Sequence, residues 1–186
     1  MRVISGFLKG KKINYLKNIN TRPLKDSVKE SIFNILTHTK LRNLKIEGAK
    51  VLDLYSGIGS FGIECISRGA EEVTFIEKDI EASNILKRNL IKLSVLNKSK
   101  IINGKIENFL NKNLKERFNI FFLDPPFKDN EFIKNLKMIN QKGYYNKDHI
   151  IIIHRERKTQ DNFEDLIELI NIKEYGRSKI IFGCFN

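Results

Sequence analysis

Phe118-Asn119-Ile120-Phe121-Phe122-Leu123-Asp124-Pro125-Pro126-Phe127 carries the reading of the fold. The first six residues, five of them apolar, fit a central strand of a parallel sheet, buried on both faces. Pro125 and Pro126 forbid its continuation, because neither can donate to the ladder and both fix φ. The result is a rigid corner at a strand's carboxyl end, entered by a carboxylate and left by an aromatic ring. Open α/β sheets bind their ligands along that edge. Taken alone, Asp-Pro-Pro reads equally well as a plain strand stop, so the flanking sequence has to decide.

On both sides of the corner, from Lys50 onward, strand and helix patterns alternate. Strands are expected at 51–55, 73–77, 100–103, 118–124 and 149–155, with helices at 60–68, 80–93, 106–112 and 131–141. Such alternation gives a parallel sheet covered by helices on both faces. The segments 169–175 and 179–185, joined at Gly176-Arg177, read as an antiparallel hairpin that closes one edge and completes seven strands. Residues 1–46 read as a separate extension. It comprises a small β-element over 2–6 and 10–13, a loop at Thr21-Arg22-Pro23, and a helix opened by the capping box Ser27-Val28-Lys29-Glu30. Val28, Ile32, Ile35 and Leu36 make one apolar face of that helix. Residues 47–186 read as the main domain.

Charge separates the same two parts. The extension holds eleven Lys and Arg against Asp26 and Glu30, or +9 of the net +12, which leaves 23 − 20 = +3 for residues 47–186. A basic end on a near-neutral domain is the electrostatic footprint of a nucleic-acid partner. Cys65 and Cys184 stand alone, and His38, His149 and His154 have no ligand spacing, so neither a metal site nor a disulfide framework is indicated. The histidines read as ordinary structural residues. No apolar run reaches the roughly 18 residues of a membrane span, and a cytoplasmic monomer is the expectation.

The first strand of the main domain runs into Asp53-Leu54-Tyr55-Ser56-Gly57-Ile58-Gly59-Ser60-Phe61-Gly62. Gly57 allows the strand-to-helix turn and Gly59 lets a ligand approach the backbone; with Gly62 they give the G-x-G-x-x-G spacing of dinucleotide folds. Glu77 ends the second strand, where it can accept from ribose hydroxyls. NAD and an adenosyl sulfonium cofactor both fit this loop. Asp53 favours S-adenosylmethionine, since a carboxylate at the mouth suits an ammonium group and repels a pyrophosphate. The corner then has a use in methylating an exocyclic amine, whose lone pair is delocalised into its ring. Asp124 and the Pro125 carbonyl can accept the amine's hydrogens, Pro126 keeps the corner rigid, and Phe127 offers a face on which an extruded base stacks.

These features together resemble the RsmD-type methyltransferases, which act on guanine N2 in small-subunit (16S) ribosomal RNA. The resemblance spans Arg2-Val3-Ile4-Ser5-Gly6, Arg22-Pro23, Asp26 to Glu30, Asp53 to Gly62, Glu77, and Asp124 to Phe127. It implies a Rossmann-like class I fold with S-adenosylmethionine held by Asp53, Gly57, Gly59 and Glu77. It further implies ribosomal RNA or the small subunit as partner, with Arg22, Lys25, Lys11 and Lys12 on the RNA side. The family's acid after the third strand is replaced here by Lys105, preceded by Asn103-Gly104, which leaves adenine to backbone groups or Asn103. The alternatives are a DNA adenine-N6 methyltransferase, a catalytically silent RNA-binding module, and a NAD-dependent oxidoreductase.

Overall fold

The computed structural model describes residues 1–15, 24–38, 44–126, 128–163 and 165–186. The expected loop Thr21-Arg22-Pro23 and the expected stacking residue Phe127 lie outside the described residues, as does the side chain of His38. Among the described residues no helix is long and apolar enough to cross a membrane.

After an initial α1 (Asp26–His38), the chain alternates β1 (Lys50–Leu54), α2 (Ser60–Ser67), β2 (Glu72–Glu77), α3 (Ile80–Lys92) and β3 (Ser99–Asn103). It continues through α4 (Ile106–Leu110), β4 (Phe118–Leu123), α5 (Glu131–Lys142) and β5 (Tyr145–Glu156) to the hairpin β6 (Ile167–Tyr175) and β7 (Ser178–Phe185). The sheet runs in the order β3-β2-β1-β4-β5-β7-β6. Its first five strands are parallel, and β7 lies antiparallel to both β5 and β6. The seven expected strands are all present, and only β5 is markedly longer than expected, extended at its start.

From β1 the chain steps outward through β2 and β3, then returns to place β4 on β1's other side. The strand order therefore reverses between β1 and β4, which pair in register from Val51↔Ile120 to Leu54↔Leu123. A crevice opens beyond the carboxyl ends of such a pair, because the connections leave in opposite directions.

Alternation along the central strands sends side chains to two apolar layers. Val51, Ile120 and Phe122 join α1, α2 and α3 on one face. Leu52, Leu54, Phe121 and Leu123 join α4 and α5 on the other. A stacked aromatic column crosses the first layer, its ring centroids 4.0 Å apart from Phe122 to Phe61 and 5.2 Å from Phe61 to Phe33.

The amino-terminal segment differs from expectation in three ways. Its β-element is reduced to one bridge, Arg2↔Lys12, around bends at Gly6 and Gly10. The helix starts at Asp26, so Ser27 stands inside it rather than capping it. Lys29, one of the segment's basic residues, is fully buried instead of facing a partner. Its ammonium donates to the Arg2 carbonyl at 2.8 Å and lies 3.8 Å from the buried Glu64 carboxylate of α2. Burial lowers the Lys29 pKa against the opposing pull of Glu64.

Glu64 is the anchor of this segment. Its oxygens accept from Ile4 N at 2.7 Å, Ser5 N at 2.9 Å and Arg68 Nε at 2.9 Å. Gly6 then passes so close to α2 that an added Cβ would sit 1.8 Å from the Ser67 carbonyl oxygen. The stretch from Arg2 to Gly6 is thus a buckle holding the segment to the helical layer.

Glu64→Ala is expected to lower stability by about 3–5 kcal/mol, since it leaves the buried Lys29 ammonium with only the more exposed Asp26 carboxylate at 3.8 Å and takes the acceptor from the Ile4 and Ser5 amides. Urea unfolding measures this. Adding Lys29→Met should recover only part of the loss, because the Ile4 and Ser5 amides still lack an acceptor.

Candidate active site

Strand ends and the turns after them surround a cavity of about 1340 Å³ at the β1/β4 reversal. Asp53, Gly57, Glu77, Lys105, Asp124, Pro125 and Pro126 all line it, so most of the expected site residues are brought together. Gly59 and Asn103 do not line it. Lys25, Lys11 and Lys12 are exposed and outside it.

Asp53 sits one residue before the end of β1, in register with Phe122 of β4 and Phe75 of β2. It is buried rather than at the mouth. One oxygen, Oδ2, accepts from Gly62 N of α2 at 3.0 Å, while Oδ1 has no partner among the described residues. Burial raises its pKa well above the carboxylate range, only partly offset by the Gly62 amide. A buried acid with an orphaned oxygen is costly unless a cation or donor completes it.

Tyr55, the first residue after β1, takes φ 64, a conformation L-residues adopt at a cost. Its hydroxyl accepts from the buried Asn135 amide of α5 at 3.3 Å, and burial raises its pKa. Nothing in its residue type announces this role. The strained turn arises only because β1 must deliver the chain into the glycine loop.

Of the loop's glycines, Gly59 has a different surrounding from the one expected. Gly59 takes φ +85 as the residue before α2, and an added Cβ would meet Leu86 Cδ1 of α3 at 2.3 Å. Helix packing therefore requires a glycine here, and Gly59 does not line the cavity. Gly57, at φ +54, has open space where its Cβ would stand, and it lines the cavity. Its amide donates to Glu77 Oε2 at 2.7 Å, and Asp79 N donates to Oε1 at 2.8 Å. Asn89 of α3 ties the loop to the amino-terminal segment. Its amide donates to the Ile58 and Asn14 carbonyls, and its oxygen accepts from Asn14 N. Tyr15, the next residue, lines the cavity.

Beyond β3, Asn103 donates to the Glu77 carbonyl at 3.3 Å and does not line the cavity. The carboxylate missing at position 105 has a neighbour in Glu107, which α4 places in the cavity wall with Asn108. Residue spacing hid it, because it enters from the first turn of the helix rather than from the strand end.

At the corner, Asp124 Oδ1 lies 2.9 Å from His154 Nδ1. His154, an ordinary residue by sequence, therefore lines the cavity in contact with the expected catalytic acid. The parallel register Leu123↔Ile153 places the residues after them side by side, a relation invisible without knowing that β4 pairs with β5. Arg155 clamps the corner from behind. Fully buried, it donates to the Pro126 carbonyl at 3.2 Å and pairs with the buried Asp161 at 3.0 Å. Its guanidinium also stacks 4.6 Å over Phe132. Among the described residues the Pro125 carbonyl accepts no hydrogen bond, as expected of a strand stopped by prolines.

Among the described residues, eight carboxylates line this cavity against three basic side chains, Lys78, Lys105 and Arg177. An acidic hollow in a chain of net charge +12 is an unfavourable seat for a pyrophosphate and a favourable one for a cation.

Residues 1–184 match the family described as Conserved hypothetical protein 95. Ribosomal RNA small subunit methyltransferase D of Haemophilus influenzae is 32% identical over 159 residues, covering 84% of this chain and 79% of that one. The chain belongs to the ribosomal RNA small subunit methyltransferase D family. YlbH of Bacillus subtilis is similar as well, 33% identical over 162 residues that cover 86% of this chain and 85% of that one. The solved structure of yhhF from Escherichia coli superimposes with a TM-score of 0.84 at 26% identity, over 98% of this chain and 96% of that one. The architecture of this family member is the Rossmann-like methyltransferase fold.

The two glycines separate cleanly by experiment. Gly59→Ala is expected to cost about 1–3 kcal/mol of stability through its φ and the Leu86 contact. Gly57→Ala should cost less in thermal melts but weaken ligand binding in the cavity more.

Proposed function

We propose that this protein uses S-adenosylmethionine to methylate the exocyclic N2 amino group of a guanine in small-subunit ribosomal RNA. The observation that carries this reading is an acidic cavity holding both the orphaned Asp53 carboxylate and the Asp124-Pro125-Pro126 corner. Family membership supports the ribosomal RNA substrate, and the resemblance of the motifs supports guanine. The cavity exceeds the roughly 300–1,000 Å³ of ordinary small-molecule pockets, which leaves room for a cofactor and an extruded base together.

When bound, S-adenosylmethionine supplies an electrophilic methyl group. Asp53 suits its ammonium group and Glu77 its ribose hydroxyls, while Lys105, Glu107 and Asn108 are assigned to the adenine end. Asp124 and the Pro125 carbonyl accept the two amino hydrogens of the target. That draws nitrogen's lone pair out of the ring and toward the methyl group. Asp124 or solvent then takes the proton that the methylated nitrogen sheds. Positioning supplies most of the rate, since no strong base is needed. Phe127 is assigned as the stacking face for the base.

The RNA side is the amino-terminal face. Lys11, Lys12 and Lys25 of the amino-terminal segment are exposed. Lys92 of α3 joins them, with its ammonium 3.2 Å from the Lys12 carbonyl. We assign this face, with Arg22 of the same segment, to phosphate contacts, and its affinity is correspondingly salt-dependent.

Two measurements test the reading. Mass spectrometry of ribosomal RNA nucleosides, from cells with and without the gene, should show loss of one N2-methylguanosine. Asp124→Ala should fail to restore it, and label transferred to DNA alone defeats the proposal. Cofactor binding should also release protons. Free Asp53 holds its proton at pH values where an ordinary carboxyl has lost it, and a cation beside it drives that proton off. Affinity for S-adenosylmethionine therefore rises with pH until the medium passes the raised Asp53 value. Calorimetry in buffers of differing ionisation enthalpy should detect the release, and Asp53→Asn should abolish it.

A further inference from the structure

We infer that His154 is the positioning residue of the corner: its Nδ1–H donates to Asp124 Oδ1 and thereby aims Oδ2 at the amino group to be methylated. The inference rests on the amine methylation proposed above. Its geometric basis is the 2.9 Å contact between Nδ1 and Oδ1. An ionised carboxylate can only accept, so the imidazole nitrogen in that contact is the donor. Such a charge-assisted bond is stronger and more directional than a neutral one.

Position and burial fit the role. β5 delivers His154 beside Asp124 because Ile153 pairs with Leu123, and both side chains line the cavity. The histidine side chain is 8% exposed and the aspartate 22%, so the donor is packed in place while the carboxylate remains open to a substrate. Asp124 Oδ2 has no hydrogen bond among the described residues. Without a partner on Oδ1, rotation about the broad terminal torsion of an aspartate would exchange the two oxygens.

The neighbouring cation does not perform this task. Arg155 points to the opposite face of β5, as strand alternation requires, and is engaged by Asp161 and the Pro126 carbonyl. Arg155 therefore fixes the backbone of the corner, whereas His154 fixes its acid. Two adjacent residues of one strand hold the two halves of the same turn.

The experiment compares His154→Phe with His154→Asn, whose amide nitrogen falls near the place of Nδ1. Methyl transfer to small ribosomal subunits gives kcat, and calorimetry gives the affinity for S-adenosylhomocysteine. For His154→Phe, kcat should fall roughly ten- to a hundredfold, with cofactor affinity changed by less than about twofold. His154→Asn should keep kcat within about threefold of the unaltered protein. Unchanged kcat in His154→Phe, or equal losses in both variants, overturns the inference while leaving the proposed function standing. If the unaltered protein transfers no methyl group to ribosomal RNA, the function falls and this inference with it. Should His154→Phe fail to fold, the imidazole nitrogen-15 spectrum of the unaltered protein decides. A protonated Nδ1 supports the assignment, and an unprotonated Nδ1 overturns it.

Discussion

β1 and β4 pair in parallel at the point where the strand order reverses, and the cavity exists because of that pairing. The turn after β1 and the turn after β4 leave in opposite directions and cannot fill the space between them. Asp53 and Asp124 face that space from adjacent strands. The glycine loop, the strained Tyr55 and the proline corner are three local solutions to one problem, ending two central strands abruptly at the same edge. Phe122, stacked on Phe61 of α2, keeps the loop's helix pressed to the strand that carries the corner.

Two buried ion pairs lock the parts that strand pairing does not reach. Lys29 with Glu64 fastens the amino-terminal segment, and Arg155 with Asp161 fastens the turn after β4. Removing two charges from water is expensive, so neither pair is explained by net stabilisation alone. Each is surrounded by backbone partners that only one arrangement of the chain supplies, namely Ile4, Ser5 and Arg2 in the first case and Pro126 in the second. The pairs therefore specify geometry. Exposed pairs such as Lys134 with Glu131 have no comparable effect, because water competes for both charges.

Charge is divided between surface and cavity in a way that total composition conceals. The chain is strongly basic, yet the hollow at its sheet reversal is lined mainly by carboxylates. Exposed lysines are spread over the surface, among them Lys11, Lys12, Lys25, Lys112 and Lys142, whereas eight acids gather at the carboxyl edge of the sheet. A polyanion and a cation can thus be attracted to different places on the same small protein.

Strand and helix order, the terminal hairpin, the glycine loop and the proline corner were all legible in the residues themselves. These are local properties: apolar periodicity, the missing Cβ of glycine and the locked φ of proline act within a few residues. Which residues meet was settled by packing alone. His154 reaches Asp124 through the pairing of β4 with β5, and Glu107 enters the cavity from a helix turn. Lys29 became a buried counter-charge because Glu64 and the first five residues close over it. Gly59 owes its place to Leu86 on another helix, and Asp53 its raised pKa to burial between neighbouring strands. In each case the deciding partner lies outside the reach of local periodicity, and only the assembled sheet and its helices bring the two together.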